Sequence, residues 1–336
     1  MRRQLTGRRL DPRVERVLFA LVANRALDSS SKLAATDWIA NDVHIDGLDQ
    51  INDEACYRAM DWLLEMEPAL AKEAYFQVTD LLNLEVDLIF FDTTSTYFET
   101  EDADEPVDRD QDGKALPEDA DPVLVARQGG FRAFGKSKDS REDLPQVVVG
   151  MAVTRDGIPV RVWSWPGNHL AGRLSTEAGL KRFLRTTPGG LLRVDKKKIA
   201  AEEKLDGKYL LWSSDPDLSA EDIALGYKQL LEVERGWRDM KQLLDLRPVY
   251  HRREDRIRAH ILLCWLALLL IRVAENATGT TWPRLRTELQ RLHAVTYTGP
   301  AGTFRQSTDL TKPQRGSYTA LGLTPPRKVI DLTPGR

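Results

Sequence analysis

A short run of β-branched and aromatic residues, Val86-Asp-Leu-Ile-Phe-Phe-Asp-Thr-Thr-Ser-Thr-Tyr-Phe98, constrains this chain more than any other segment. Such a run reads as a buried strand rather than a helix. It places Asp92 at the tip of apolar sequence, where a carboxylate is costly unless something neutralises it. A divalent cation is one compensation, because hard cations take carboxylate oxygen. The other is a turn that Asp92 caps, since Asp and Thr both bond nearby backbone.

The rest of the chain is of ordinary soluble composition. Its 336 residues are 42% hydrophobic and 29% charged, room for two or three domains. A formal charge of −3 excludes nucleic-acid binding by bulk charge and leaves local clusters as the only electrostatic route. Cys56 and Cys264 lie in separate helical patterns, so the expectation is free thiols in a reducing compartment. The N-terminal stretch has no apolar signal-peptide core. The apolar run Ile261 to Ile271 is too short for a bilayer core of ~30 Å. A cytoplasmic protein with no membrane partner is expected.

Five regions follow from pattern changes. Residues 1–84 read as helical, with Val14, Leu18, Leu21 and Val22 on one face, Asn52 as a cap and Pro68 in the first turn of a further helix. Arg2, Arg3, Arg8 and Arg9 there are candidate phosphate contacts. Residues 85–168 begin with the Asp92 strand. Between Glu99 and Asp121 come eleven acids against Arg109 and Lys114, which predicts a self-repelling, disordered loop. Gln146 to Thr154 and Ile158 to Trp165 then read as two strands joined at Asp156-Gly157, a signal for a type I′ turn. Residues 169–218 are mixed and basic. In 219–276, Ser219-Ala-Glu-Asp222 opens a long helix to about Leu246, followed by an apolar helix from about Glu254 to Glu275. Residues 277–336, rich in Pro, Gly and Thr, read as a loosely ordered tail.

On the long helix Tyr227, Glu234 and Lys241 recur every seven residues. Two turns cover about 7.2 residues, so the three share a stripe that Arg238 joins. The opposite face, Leu230, Leu231, Val233, Trp237 and Leu244, is the expected core side. Such a stripe also suits a merely solvated face.

Taken together, these segments resemble insertion-sequence transposases of the DDE type. Leu88-Ile-Phe-Phe-Asp-Thr-Thr-Ser-Thr-Tyr97 is similar to their first acidic motif, and Tyr227-x2-Leu230-x3-Glu234-x6-Lys241 to their Tyr-x2-Arg-x3-Glu-x6-Lys signature, with Leu230 in place of Arg. Gly135-Lys-Ser-Lys-Asp139, Asp143-Leu-Pro-Gln-Val147 and Tyr250 to His260 extend the likeness over about residues 14 to 275. The resemblance implies an α/β, ribonuclease-H-like core with helical N- and C-terminal regions. It implies Asp92 and Glu234 as catalytic carboxylates holding two Mg²⁺ ions, with Lys241 and Tyr227 positioning DNA. Arg238, Arg252, Arg253, Arg256 and Arg258 become candidate phosphate contacts. The implied partner is double-stranded DNA, with a homo-oligomer and a nucleoid location. The implied reaction is DNA strand cleavage and transfer at transposon ends.

One element of the pattern is missing. The family's middle Asp sits on a strand parallel to the first, and no apolar run ending in Asp follows Trp165-Pro-Gly-Asn168. Asp156, Asp195 and Asp206 all lie in turns or basic sequence. An internal deletion is expected, leaving the core incomplete, the enzyme impaired and an apolar edge exposed at Leu88 and Phe90. A non-catalytic DNA-binding remnant is the alternative.

Overall fold

The computed structural model describes residues 13–81, 89–168 and 217–335, with a few positions between 184 and 211. Arg2, Arg3, Arg8, Arg9, Leu88, Asp195 and Asp206 lie outside the described residues. Among those described, seven α-helices accompany several small sheets, a mixed α/β architecture. The chain divides into two compact units: Met1–Asp92 with Gly150–Ser164 and Glu232–Arg336, and Thr93–Val149 with Trp165–Leu231.

In the first unit, α1 (Arg13–Leu27), α2 (Lys32–Asn41) and α3 (Asp53–Leu81) form the helical region. Leu18, Leu21 and Val22 are buried as their spacing predicts. Asn52 Oδ1 accepts the Ala55 N–H at 3.0 Å, and Ser31 Oγ accepts that of Ala34 at 3.1 Å, so both caps are local. Pro68 starts no new helix. It lies inside α3, where neighbouring packing carries the helix through a lost backbone bond. The apolar helix α5 (Glu254–Thr278) packs against α1 and α3. It is long and apolar enough to cross a membrane, yet 78% of its apolar window is buried inside the protein.

Strands β1 (Ile89–Tyr97), β4 (Gln146–Thr154) and β5 (Pro159–Pro166) make a three-stranded sheet in the order β1-β4-β5. The expected strand and hairpin are therefore present. Phe90 is buried, so the expected apolar exposure falls instead on Ile89 and Phe91, each about half exposed. The hairpin turn is not type I′. Gly157 has a φ of +72°, but Asp156 is not among the positive-φ residues. The Gly157 N–H donates to Thr154 O and the Thr154 N–H to Ile158 O, each at 3.0 Å. This is the three-residue alternative, in which only glycine takes the left-handed position.

In the second unit the acidic segment is ordered. It contains β2 (Val107–Arg109), a 3-10 turn (Pro122–Leu124) and β3 (Arg127–Gly129), with β2 and β3 antiparallel. Three of its acids accept backbone donors. Asp104 takes the Arg132 backbone N–H and its Nε at 2.8 Å each, Asp110 takes the Lys114 N–H at 2.8 Å and Asp121 that of Val123 at 2.9 Å. Arg109, 2% exposed, donates to the Gly129 and Gly113 carbonyls.

The C-terminal segment, in the first unit, is also ordered. After α6 (Trp282–Leu289), strands β8 (Ala294–Gly299), β9 (Gly302–Ser307) and β10 (Val329–Pro334) form an antiparallel sheet in the order β10-β9-β8. Between β9 and β10, α7 (Lys312–Ala320) starts with a full capping box, Thr311 with Gln314. Threonines here are β-branched strand residues rather than loop residues. In the second unit, β6 (Leu184–Thr186) pairs with β7 (Leu192–Val194) within the basic region.

Candidate functional site

Asp92 stands in β1, partly buried, and is followed by four buried polar residues, Thr93 to Thr96. Alternation puts it on the face opposite Phe91, whose ring meets Trp163 edge-on at 5.5 Å. The residue after Asp92 is fixed by Lys138, whose ammonium donates to the Thr93 carbonyl and whose backbone N–H donates to Ser95 Oγ at 3.0 Å. Lys138 lies in the Gly135-Lys-Ser-Lys-Asp139 segment, but its task in holding this strand was not legible from the sequence.

The long helix is α4 (Ala220–Gln242), four residues shorter than expected. Ser219 Oγ accepts the Asp222 N–H at 3.1 Å and bonds the Asp222 carboxylate at 2.8 Å. The buried stripe is Val233, Trp237, Met240 and Leu244, spaced four and three apart. Leu231 was expected in it and is 64% exposed, because it falls outside that spacing. Glu234 and Arg238 are exposed, Tyr227 is half exposed and Lys241 is partly buried.

Two features seat the Glu234 part of α4. At Gly236 a Cβ would come within 2.6 Å of Met151 Cε, so the missing side chain lets the helix press onto β4. A buried ion network then joins α4 to α5. Arg272, 1% exposed, pairs with Asp239 at 2.6 Å and with Glu275 at 2.5 Å, and Glu275 also accepts from Arg235 at 2.9 Å and from the Trp282 N–H at 2.7 Å.

The candidate arginines divide. Arg256 binds Asp61 and the Tyr57 carbonyl and lies over the Tyr57 ring. Arg258 donates to Ser164 O at 2.6 Å and pairs with Glu254 at 2.8 Å. Both tie the start of α5 to its neighbours. Arg253 is exposed and pairs with Asp255 at 2.7 Å, and Arg252 is exposed. Arg238, Arg252 and Arg253 thus offer the accessible cations of the set.

Beneath these helices lies a buried polar group that no motif announced. Burial, then the nearby Arg25 charge, pulls the Lys32 ammonium down to about 8. Burial, then Lys32 and Arg25, lowers His251 to about 4, and the fully buried His260 also falls well below the ordinary imidazole value. Cys56 and Cys264 are free and buried, and burial raises both thiols.

Comparison with protein-family models, curated proteins and solved structures finds no match for the chain.

Asp92 and Glu234 fall in the same compact unit, which also contains the hairpin residues against which α4 packs. Both are carboxylates, the donor type that hard cations take. A pair of cations sharing a bridging carboxylate needs more. Among the described residues no group of three or more His, Cys, Asp or Glu side chains is placed to hold a metal.

Proposed function

We propose that this chain is a DDE-type insertion-sequence transposase by descent, with an incomplete ribonuclease-H-like core, and that its catalysis is impaired. The observation that carries the reading is the contact of α4 with β4 at Gly236 and Met151. It seats the helix bearing Glu234 on the middle strand of the sheet whose edge strand bears Asp92. A strand acid followed by a hairpin and a helix acid is the order the resemblance implies.

In this reading Asp92 and Glu234 hold magnesium. When bound, the metal supplies activation of an attacking oxygen and charge stabilisation of the leaving one. Lys241 and Tyr227 orient a DNA end, while Arg238, Arg252 and Arg253 hold phosphates without reading sequence. The reaction is hydrolysis at a transposon end, then attack of the freed 3′-hydroxyl on a target phosphodiester whose own 3′-oxygen leaves, with a homo-oligomer as the working form. With two carboxylates in place of three, binding outlasts cleavage.

The test uses end-labelled duplexes made from the DNA on either side of the gene, with Mg²⁺ or Mn²⁺. The expected result is binding that weakens steeply with salt, and weak metal-dependent nicking. Absence of DNA binding at low salt overturns the descent. Robust nicking that Asp92→Ala abolishes overturns the impairment and demands a third ligand. Binding with no nicking under any metal favours the non-catalytic remnant.

A further inference from the structure

The C-terminal sheet has two edges, and they are built differently. β10 bulges between Val329 and Asp331, carries the Asp331 charge and closes on Pro334, which has no N–H. Bulges, charges and prolines are how native proteins keep a sheet edge from pairing. β8, Ala-Val-Thr-Tyr-Thr-Gly, has none of the three, and all six of its residues are exposed. Among the described residues its one neighbour in the sheet is β9.

In an antiparallel pair a residue turns its N–H and C=O to the same side, and that side alternates along the strand. The His293 carbonyl accepts the Thr308 N–H at 2.9 Å, so the odd-numbered residues of β8 turn to β9. The Ser307 N–H donates to the Lys328 carbonyl at 2.9 Å, so the odd-numbered residues of β9 turn to β10, as the same alternation requires. Ala294, Thr296 and Thr298 therefore point their N–H and C=O off the sheet, and among the described residues nothing takes them. The side chains sort as clearly. Tyr297 stacks on Phe304 at 4.9 Å and shares a face with Val295 and Leu332. Thr296 lies on the other face, where its Oγ1 accepts from Arg305 Nε at 3.3 Å.

We propose that β8 pairs antiparallel with β8 of a second copy of this chain, about a two-fold axis at Thr296, joining two three-stranded sheets into one. Self-complementarity selects this occupant. The axis sets Thr296 against itself, Ala294 against Thr298 and Val295 against Tyr297. Every outward residue then meets an outward residue, and each such pair exchanges two backbone bonds. No other register pairs all of them within the strand. The apolar face of Leu332, Phe304 and Tyr297 runs on into Val295 of the second copy. Just before the strand, Arg291 meets Ala301, so no charge faces its like. The contact is isologous, as a closed dimer requires. An edge six residues long is a small contact beside the roughly 1,200–2,000 Å² of a standard interface, so the pairing is reversible. It gives the homo-oligomer of the proposed function an interface and needs no DNA.

The test is sedimentation velocity of the full chain without DNA over a concentration series. Wild type is expected to show a reversible monomer–dimer equilibrium. Thr296→Lys sets two ammonium groups face to face across the axis and is expected to weaken the dimer by about tenfold or more. Thr333→Lys, exposed on the guarded edge, is expected to leave it unchanged. Thr296→Cys is expected to cross-link into a dimer with diamide, because the opposed Cα atoms would lie ~5.5 Å apart. Cys56 and Cys264 are buried, so wild type should give no such band. A wild type that stays monomeric at every concentration overturns the inference. So does a dimer that Thr296→Lys leaves intact, or one in which Thr296→Cys does not cross-link. Each of these results leaves DNA binding and nicking to be decided by their own assay.

Discussion

Replacing Arg272 by Ala tests whether the buried ion network seats the helix that bears Glu234. The Arg272 side chain is 1% exposed, and its partners Asp239 and Glu275 are 15% and 9% exposed. Removing one member of a buried pair leaves the other charge uncompensated, a cost of about 3–5 kcal/mol. Two features set the value near the lower end. Glu275 keeps Arg235 at 2.9 Å and the Trp282 N–H at 2.7 Å, and Asp239 reaches some water. The expected loss is therefore about 3 kcal/mol. Arg235→Ala, whose side chain is 37% exposed and whose partner retains Arg272, should cost under about 1 kcal/mol. Urea unfolding of each variant, followed by tryptophan fluorescence, reads both losses as midpoint shifts at constant slope. Adding Asp239→Asn to Arg272→Ala should recover part of the loss, because it removes the stranded charge. The reasoning fails if Arg272→Ala costs no more than Arg235→Ala, or if Asp239→Asn makes the double variant worse.

Three other outcomes are expected. Lys32→Met should stabilise the protein at pH 7 by about 1–3 kcal/mol, because it removes a desolvated charge. With the Lys32 value lowered from 10.5 to about 8, the folded state binds fewer protons than the unfolded one between those limits. Wild-type stability should gain a contribution as pH rises from about 8 to 10.5, and Lys32→Met should lack it; equal pH profiles would refute the assignment. His251, lowered from 6.5 to about 4, makes the same sign of contribution at lower pH. Stability should fall as pH drops from 6.5 toward 4, and a melting temperature flat over that range would contradict the burial. Gly236→Val should destabilise by about 1–3 kcal/mol, since its side chain must displace the fully buried Met151; a neutral result in urea would show that α4 is not pressed onto β4.

What the sequence disclosed follows from the range of each signal. The Asp92 strand, the hairpin, α4 and α5 rest on periodicity and turn residues within a dozen positions, and all four are present. The order of the acidic segment was hidden because Arg132, which holds Asp104, lies beyond the acids and because Asp104, Asp110 and Asp121 act as backbone acceptors. The C-terminal sheet was masked by the Gly, Pro and Thr content of its segment, although Val295 and Tyr297 alternate with Thr296 and Thr298 along β8. Pro68 misled because a proline tolerated at a helix start is also tolerated inside a helix that tertiary packing supports. Within the candidate site, the sequence supplied the acids but could not sort the arginines. Arg256 and Asp61 are 195 positions apart, as remote as Arg25 and the Leu244 carbonyl at 219, and no local pattern marks such pairs.

The central claim is that Asp92 and Glu234 face a shared cation. Iron can stand in for magnesium, and with ascorbate and peroxide it cuts backbone beside its ligands, so the fragments report where a hard cation sits. The account predicts cuts near residue 92 and near residue 234 in the same sample, both suppressed by excess Mg²⁺ and both lost in Asp92→Ala and in Glu234→Ala. Cutting at one of the two positions alone, or a pattern that survives either substitution, would contradict it.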